Sequence, residues 1–149
     1  MSSVLIVDDN EPLRRVLSRW LNAADYETRE AADAETALEM LNDGVSDVVL
    51  CDVTMPGRGG LWLVERAREE HPAVGVVLAT GLDNVHPSIS LGGNVVEYLI
   101  KPFERAAVLT AVGLARAWHE TAAKRLTTGA ADPLSDWLQG GRTRGPEFK

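Results

Sequence analysis

The chain is predicted to be an α/β protein: a doubly wound, five-stranded parallel sheet in the order 2-1-3-4-5, with helices on both faces. Apolar runs alternate with amphipathic stretches along the chain, the pattern of β-α units wrapped around a parallel sheet. Three runs, Val4–Val7, Val48–Cys51 and Val74–Ala79, are continuously apolar, as strands buried on both faces are. Two others, Tyr26–Ala31 and Val95–Ile100, carry charge and suit the sheet edges. The order 2-1-3-4-5 meets both demands and puts the topological switch point between strands one and three.

Each element has its own warrant. Val4–Val7 forms the first strand, and Asp8-Asp9 end it. Asn10 caps the helix that follows, with Glu11 and Pro12 in a first turn that favours both an acid and a proline. Leu13, Val16, Leu17, Trp20, Leu21 and Ala24 then recur at the spacing of one helix face. Tyr26–Ala31 is the polar second strand. Asp33 caps Ala34–Asn42, whose stripe is Ala34, Ala37, Leu38 and Leu41 and whose stop is Gly44. Asp47–Cys51 is the third strand; Asp52 closes it, and the chain breaks at Met55-Pro56-Gly57. Leu61, Val64, Ala67 and Arg68 mark a third helix that ends before His71-Pro72.

Val74–Ala79 is the fourth strand, ended by Thr80-Gly81, and Val95–Ile100 is the fifth, ended by Lys101-Pro102. Between them, Leu82–Asn94 has to supply a fourth, crossover helix. Pro87 fits only a first turn, and each of Gly92 and Gly93 costs about 1 kcal/mol in a helix interior, so this helix is expected to be short or irregular. From about Glu104 a long fifth helix carries Ala107, Val108, Ala111, Ala115 and Trp118 on one face and fades by Thr127–Gly129.

Composition excludes several classes. With 149 residues, the chain is long enough for one domain, expected over 1–125, and a tail over 126–149. A net charge of −7 argues against direct nucleic-acid binding, which calls for a basic face. The single cysteine, Cys51, permits no internal disulfide, and its apolar run reads as core. No apolar run approaches the roughly 20 residues that span a membrane. The N-terminal MSSVLIVDD turns acidic where a signal peptide stays apolar, so a cytoplasmic protein is expected. His71, His86 and His119 have no ligand spacing and read as surface histidines.

The chemistry lies at the strand ends. In a parallel sheet every carboxyl end reaches the same rim, so Asp8-Asp9, Asp52, Thr80 and Lys101 converge despite their separation in sequence. Three carboxylates there repel one another unless a cation is present. A hard divalent ion such as Mg²⁺, held by one or two carboxylates and otherwise by water, fits such a site. Lys101 adds a point charge for phosphate oxygens, and Thr80 a hydroxyl.

In these residues the chain resembles the receiver domains of two-component response regulators, which have a flavodoxin-like fold. The resemblance covers roughly residues 4–120. It rests on VDDN after strand one, DVTMPGRGG after strand three, ATG after strand four and YLIKPF at strand five. It implies that Asp52 is a phosphoacceptor, taking a phosphoryl group from a histidine kinase or a histidine phosphotransfer protein. Asp9 and Asp52 would ligate Mg²⁺ directly, Asp8 through water, and the Thr54 carbonyl would complete the protein ligands. Lys101 would neutralise the transferring group, and Thr80 and Tyr98 would form a switch pair. Beyond its own phosphorylation and slow autodephosphorylation, no enzymatic activity is implied. Output would pass to a partner, a second copy or an output domain through the face from the fourth to the fifth helix. The chain departs from the family there: Thr80 to Lys101 is one residue short, and Gly81 stands where alanine is common.

Two alternatives stay open. A degenerate receiver would bind partners without being phosphorylated, although the acidic set is complete. An aspartyl-phosphate hydrolase of the haloacid dehalogenase type would want a second acid two residues after Asp52, where Thr54 stands. In the tail, Asp132-Pro133 and Gly140 allow a short helix over 133–139 with Leu134, Trp137 and Leu138 on one side. Docking on its own domain and contact with a partner are both open for that face, and Arg142–Lys149 is expected to be disordered.

Overall fold

A computed structural model describes residues 2–44, 46–81 and 93–128. The strands are β1 (Ser3–Val7), β2 (Glu27–Ala31), β3 (Val48–Asp52), β4 (Gly75–Gly81) and β5 (Val95–Lys101). The helices are α1 (Glu11–Ala23), α2 (Ala34–Asp43), α3 (Gly60–Glu70) and α4 (Arg105–Thr128). All neighbouring strands pair in parallel, in the order β2-β1-β3-β4-β5, as the distribution of charge among the strands predicts. The crossover expected in Leu82–Asn94 falls, up to residue 92, outside the described residues, as does the tail from 129. The fifth helix of the sequence reading is therefore α4. Among the described residues, no helix is long and apolar enough to cross a membrane.

Strand alternation sorts the core into two layers. Leu5, Val7, Val49, Cys51, Val76 and Leu78 face α2 and α3, joined by Ala37, Leu41, Leu63, Val64 and Ala67. Val4, Ile6, Val48, Leu50, Val77 and Leu99 face α1 and α4, joined by Leu17, Leu21, Val108, Val112 and Ala115. The same alternation carries on into the strand ends. Asp8 follows Val4 and Ile6, Asp52 follows Val48 and Leu50, and Lys101 follows Leu99, so all three leave the sheet on the α1/α4 side.

The helices start where their caps dictate. The Asn10 side chain accepts from the Leu13 amide at 3.1 Å, and Asp33 accepts from the Thr36 amide at 2.7 Å. That bond holds the Asp33 carboxyl below its ordinary range. In α1, Leu17 and Leu21 are buried, and Trp20 packs half-buried against the same layer.

Two helix faces differ from the sequence reading. In α3 the buried positions are Gly60, Leu63, Val64 and Ala67, while Leu61 is 39% exposed. The buried positions recur at i, i+3, i+4 and i+7 from Gly60, and this phase leaves Leu61 off the stripe. In α4, Ala107 is exposed, and the buried stripe is Val108, Ala111, Val112 and Ala115. His119 is also not a helix-end surface residue: it lies within α4, with Nδ1 2.7 Å from the Ala73 carbonyl oxygen and Nε2 3.3 Å from Asp47. His71 does stand at the end of α3, and His86 falls outside the described residues.

Candidate functional site

The carboxyl rim of β1, β3 and β5 gathers the charged residues. Asp8, Asp9 and Asp52 each offer a carboxylate oxygen, and these oxygens lie within 4.8 Å of one another. Asp8 and Asp52 are buried, and Asp9, one residue into the β1–α1 turn, is exposed. The Lys101 Nζ stands between the two buried carboxylates, 3.1 Å from Asp8 Oδ2 and 3.2 Å from Asp52 Oδ2.

The remaining oxygens are held by main chain. The Asn10 amide donates to Asp8 Oδ1 at 2.9 Å, and the Thr54 amide donates to Asp52 Oδ1 at 3.2 Å. The loop after Asp52 folds tightly back on β3. Gly57, at φ 79°, takes a left-handed conformation that glycine adopts freely. The Gly60 amide donates to the Val53 carbonyl at 3.0 Å. α3 starts so close to β3 that a Cβ on Gly60 would meet the Asp52 carbonyl oxygen.

Electrostatics set the protonation of the rim. Burial, and then the negative charge of Asp8, push the Asp52 carboxyl above its ordinary range; Lys101 and the Thr54 amide oppose the shift. Burial also works against charge on Lys101. The hydrogen bond and attraction from Asp8, then those from Asp52, outweigh it, and the ammonium is held more firmly than that of an ordinary lysine. Cys51 is buried, and its thiol is pushed up by desolvation and by the charges of Asp52 and Asp8. The thiolate is therefore suppressed, which suits a core residue.

An oxygen-only cluster of three carboxylates fits a hard divalent cation, because the repulsion that burial intensifies is what such an ion relieves. The adjacent ammonium can meet an anion docked against Asp52.

Thr80 and Tyr98 lie on β4 and β5, on the α2/α3 face of the sheet, opposite the face from which Asp52 and Lys101 leave. The sequence ends the fourth strand at Ala79, yet β4 runs through Thr80 and Gly81, which pair with Ile100 and Lys101. Thr80 is buried, and its hydroxyl donates to the Gly81 carbonyl at 3.2 Å. Tyr98 pairs with Leu78, so it is a diagonal neighbour of Thr80 on the same sheet face, half-buried against the α2/α3 layer.

Two features escaped the sequence reading. The Arg14 Nη1 donates to the Asp8 carbonyl at 2.7 Å, and its Nε donates to Glu30 Oε1 at 3.2 Å. The only sequence signal was a cation on the polar side of α1, one turn in from the acidic pair. Arg58 lies 4.9 Å over the Trp62 ring and 3.7 Å from Glu35. Trp62 is half-buried beneath the Arg58 guanidinium.

The chain is similar to known proteins in sequence and in fold. The family model described as "Response regulator receiver domain" matches residues 4–113. The transcriptional regulatory protein MalR of Bacillus subtilis (strain 168) is 34% identical over 117 residues, covering 75% of this chain and 49% of MalR. The DNA-binding transcriptional regulator NtrC of Bradyrhizobium sp. (strain RP501 Parasponia) is 32% identical over 116 residues, covering 77% of this chain and 24% of NtrC. The chain thus spans from about a quarter to a half of these relatives' length. The crystal structure of the receiver domain of NtrX from Brucella abortus superposes with a TM-score of 0.70 at 28% identity, covering 76% of this chain and 98% of that one.

Proposed function

The chain belongs to the response regulator receiver domain family, and from that premise we propose that it works as a phosphorelay receiver that accepts a phosphoryl group on Asp52. The observation that carries the reading is the convergence of the Lys101 Nζ on the Asp8 and Asp52 carboxylates, with an Asp9 oxygen within 4.8 Å of theirs.

The donor is a phosphohistidine on a histidine kinase or a histidine phosphotransfer protein. An Asp52 carboxylate oxygen attacks the phosphorus, a P–O bond forms, and the P–N bond breaks with its electron pair returning to the donor imidazole. The product is an acyl phosphate. The Thr54 amide holds the other Asp52 oxygen, so the carboxylate cannot swing away from the incoming group. Lys101 releases part of its hold on Asp52 and pairs with phosphoryl oxygens, which is the positioning and charge neutralisation that phosphoryl transfer requires. Asp8, Asp9, Asp52 and the Thr54 carbonyl would hold a Mg²⁺ ion, which when bound supplies divalent charge against the same oxygens. The catalysis is confined to the chain's own phosphorylation and to slow hydrolysis of its own acyl phosphate.

The new charge then biases two pre-existing states of the domain. Thr80 turns its hydroxyl from the Gly81 carbonyl toward the phosphate, and Tyr98, its diagonal neighbour, moves into the space released. We assign the receiver to residues 1–125 and a tail to 126–149. Output to a partner, a second copy or an output domain goes through β5, α4 and the adjoining crossover. A cytoplasmic location fits that role.

The test uses a small phosphoryl donor. Incubation with Mg²⁺ and acetyl phosphate is expected to phosphorylate the wild type but not Asp52→Asn. No modification that depends on Asp52 would favour the degenerate receiver, and rapid turnover of an external phosphate ester would favour the hydrolase.

A further inference from the structure

Asp8 is fixed at every polar atom. Its amide donates to the Ala31 carbonyl at 3.1 Å, extending the β1–β2 pairing by one residue. Its Oδ1 accepts from the Asn10 amide and its Oδ2 from Lys101. Its main-chain carbonyl accepts from Arg14 Nη1 at 2.7 Å, the shortest of the four contacts. Arg14 is itself braced. Its Nε donates to Glu30, the neighbour of Ala31 on β2, and its amide donates to the Asn10 carbonyl at 3.0 Å. Its side chain is only 13% exposed. A closed triangle of β1, α1 and β2 thus surrounds the point where the chain turns from Asp8 to Asp9.

We propose that Arg14, anchored by Glu30, is a positioning residue for cation binding, and that it holds the Asp8–Asp9 main chain in the conformation that presents both carboxylates to one ion. The inference rests on reading the acidic rim as a Mg²⁺ site. Mg²⁺ demands near-ideal geometry from its ligands, so a small shift in the main chain between two of them weakens binding. Arg14 suits the task because the guanidinium fork reaches two acceptors in divergent directions, which a lysine ammonium on a flexible stem does not do in a fixed geometry. The bond to the Asp8 carbonyl is charge-assisted, and Glu30 offsets the positive charge that would otherwise oppose a cation nearby. Groups that orient metal ligands without touching the metal are commonly worth about 10–100-fold in metal affinity.

The experiment is calorimetric titration of the whole chain with Mg²⁺, for the wild type and for Arg14→Met, Arg14→Lys and Glu30→Gln, with the melting temperature of each recorded in Mg²⁺-free buffer. Arg14→Met is expected to raise the Mg²⁺ Kd by about tenfold or more, with Arg14→Lys and Glu30→Gln in between. A lowered melting temperature with an unchanged Kd would make Arg14 a brace of the fold alone and overturn the inference. Tighter Mg²⁺ binding in Arg14→Met would overturn it too, because the guanidinium charge would then outweigh its positioning effect. Glu30→Gln keeps the comparison decisive if Arg14→Met does not fold. Absence of Mg²⁺ binding by the wild type would instead overturn the reading of the rim, and the inference with it.

Discussion

Lys101 and Asp52 are 49 positions apart in the chain, yet the lysine ammonium lies 3.2 Å from the aspartate and 3.1 Å from Asp8. Neither contact is local. Both arise because β1, β3 and β5 run parallel and end on one rim, with Asp8, Asp52 and Lys101 leaving the sheet on the same face. The ammonium compensates the same carboxylates that a divalent ion would, and its charge is also the one a phosphoryl group docked against Asp52 would need.

Removing that ammonium exposes the repulsion it conceals. Lys101→Met is expected to lower stability by about 1–3 kcal/mol in Mg²⁺-free buffer, less than for a fully buried pair because solvent reaches Lys101. Mg²⁺ should restore part of the loss, while phosphorylation of Asp52 stays slow. Denaturant melts with and without Mg²⁺ check this, and a Mg²⁺-independent loss would count against it.

The raised pKa of Asp52 gives a pH signature with a definite sign. Its folded value lies above its unfolded value of about 4, so the folded state pays for an ionised Asp52 above the folded pKa. That cost disappears as pH falls through the window between the two values. Asp52→Asn is therefore expected to melt above the wild type near neutral pH without Mg²⁺, and the difference should vanish below about pH 4. Equal melting near neutral pH would contradict the shift.

Gly60 tests how tightly α3 is set against the acceptor strand. A methyl group there meets the Asp52 carbonyl oxygen, which is main chain and cannot rotate aside. Gly60→Ala is expected to cost about 1–3 kcal/mol and to slow phosphorylation, since the shift falls on the acceptor residue itself. A variant with wild-type stability and rate would show that the junction gives way without cost.

Thr80 should separate transfer from switching. Thr80→Ala is expected to remain phosphorylated at Asp52 but to lose the amide shift changes that phosphorylation produces at Tyr98 and along β5. Retention of those changes in heteronuclear NMR spectra would sever Thr80 from the switch.

The fold and the charged rim are legible in the sequence because each rests on one short pattern. Continuous apolar runs mark strands with two covered faces, and a polar residue at the end of each run has to reach the common rim. Helix faces were harder. In α3 the close approach of Gly60 to β3 sets the buried stripe at Gly60, Leu63, Val64 and Ala67, and Leu61 falls off it. Arg14 was invisible for a different reason: its partners are a main-chain carbonyl and a residue on a neighbouring strand, neither of which leaves a trace in spacing along α1.

The central claim, that Asp52 is the atom-bearing acceptor of a Mg²⁺-assisted transfer, is most directly tested by trapping the acyl phosphate. The chain is treated with acetyl phosphate and Mg²⁺, reduced with borohydride and digested, and the peptide containing residue 52 is sequenced by mass spectrometry. Borohydride converts an aspartyl phosphate to homoserine. Homoserine at residue 52, dependent on both donor and Mg²⁺, is the expected result. Unmodified Asp52, or homoserine at another aspartate, would contradict it.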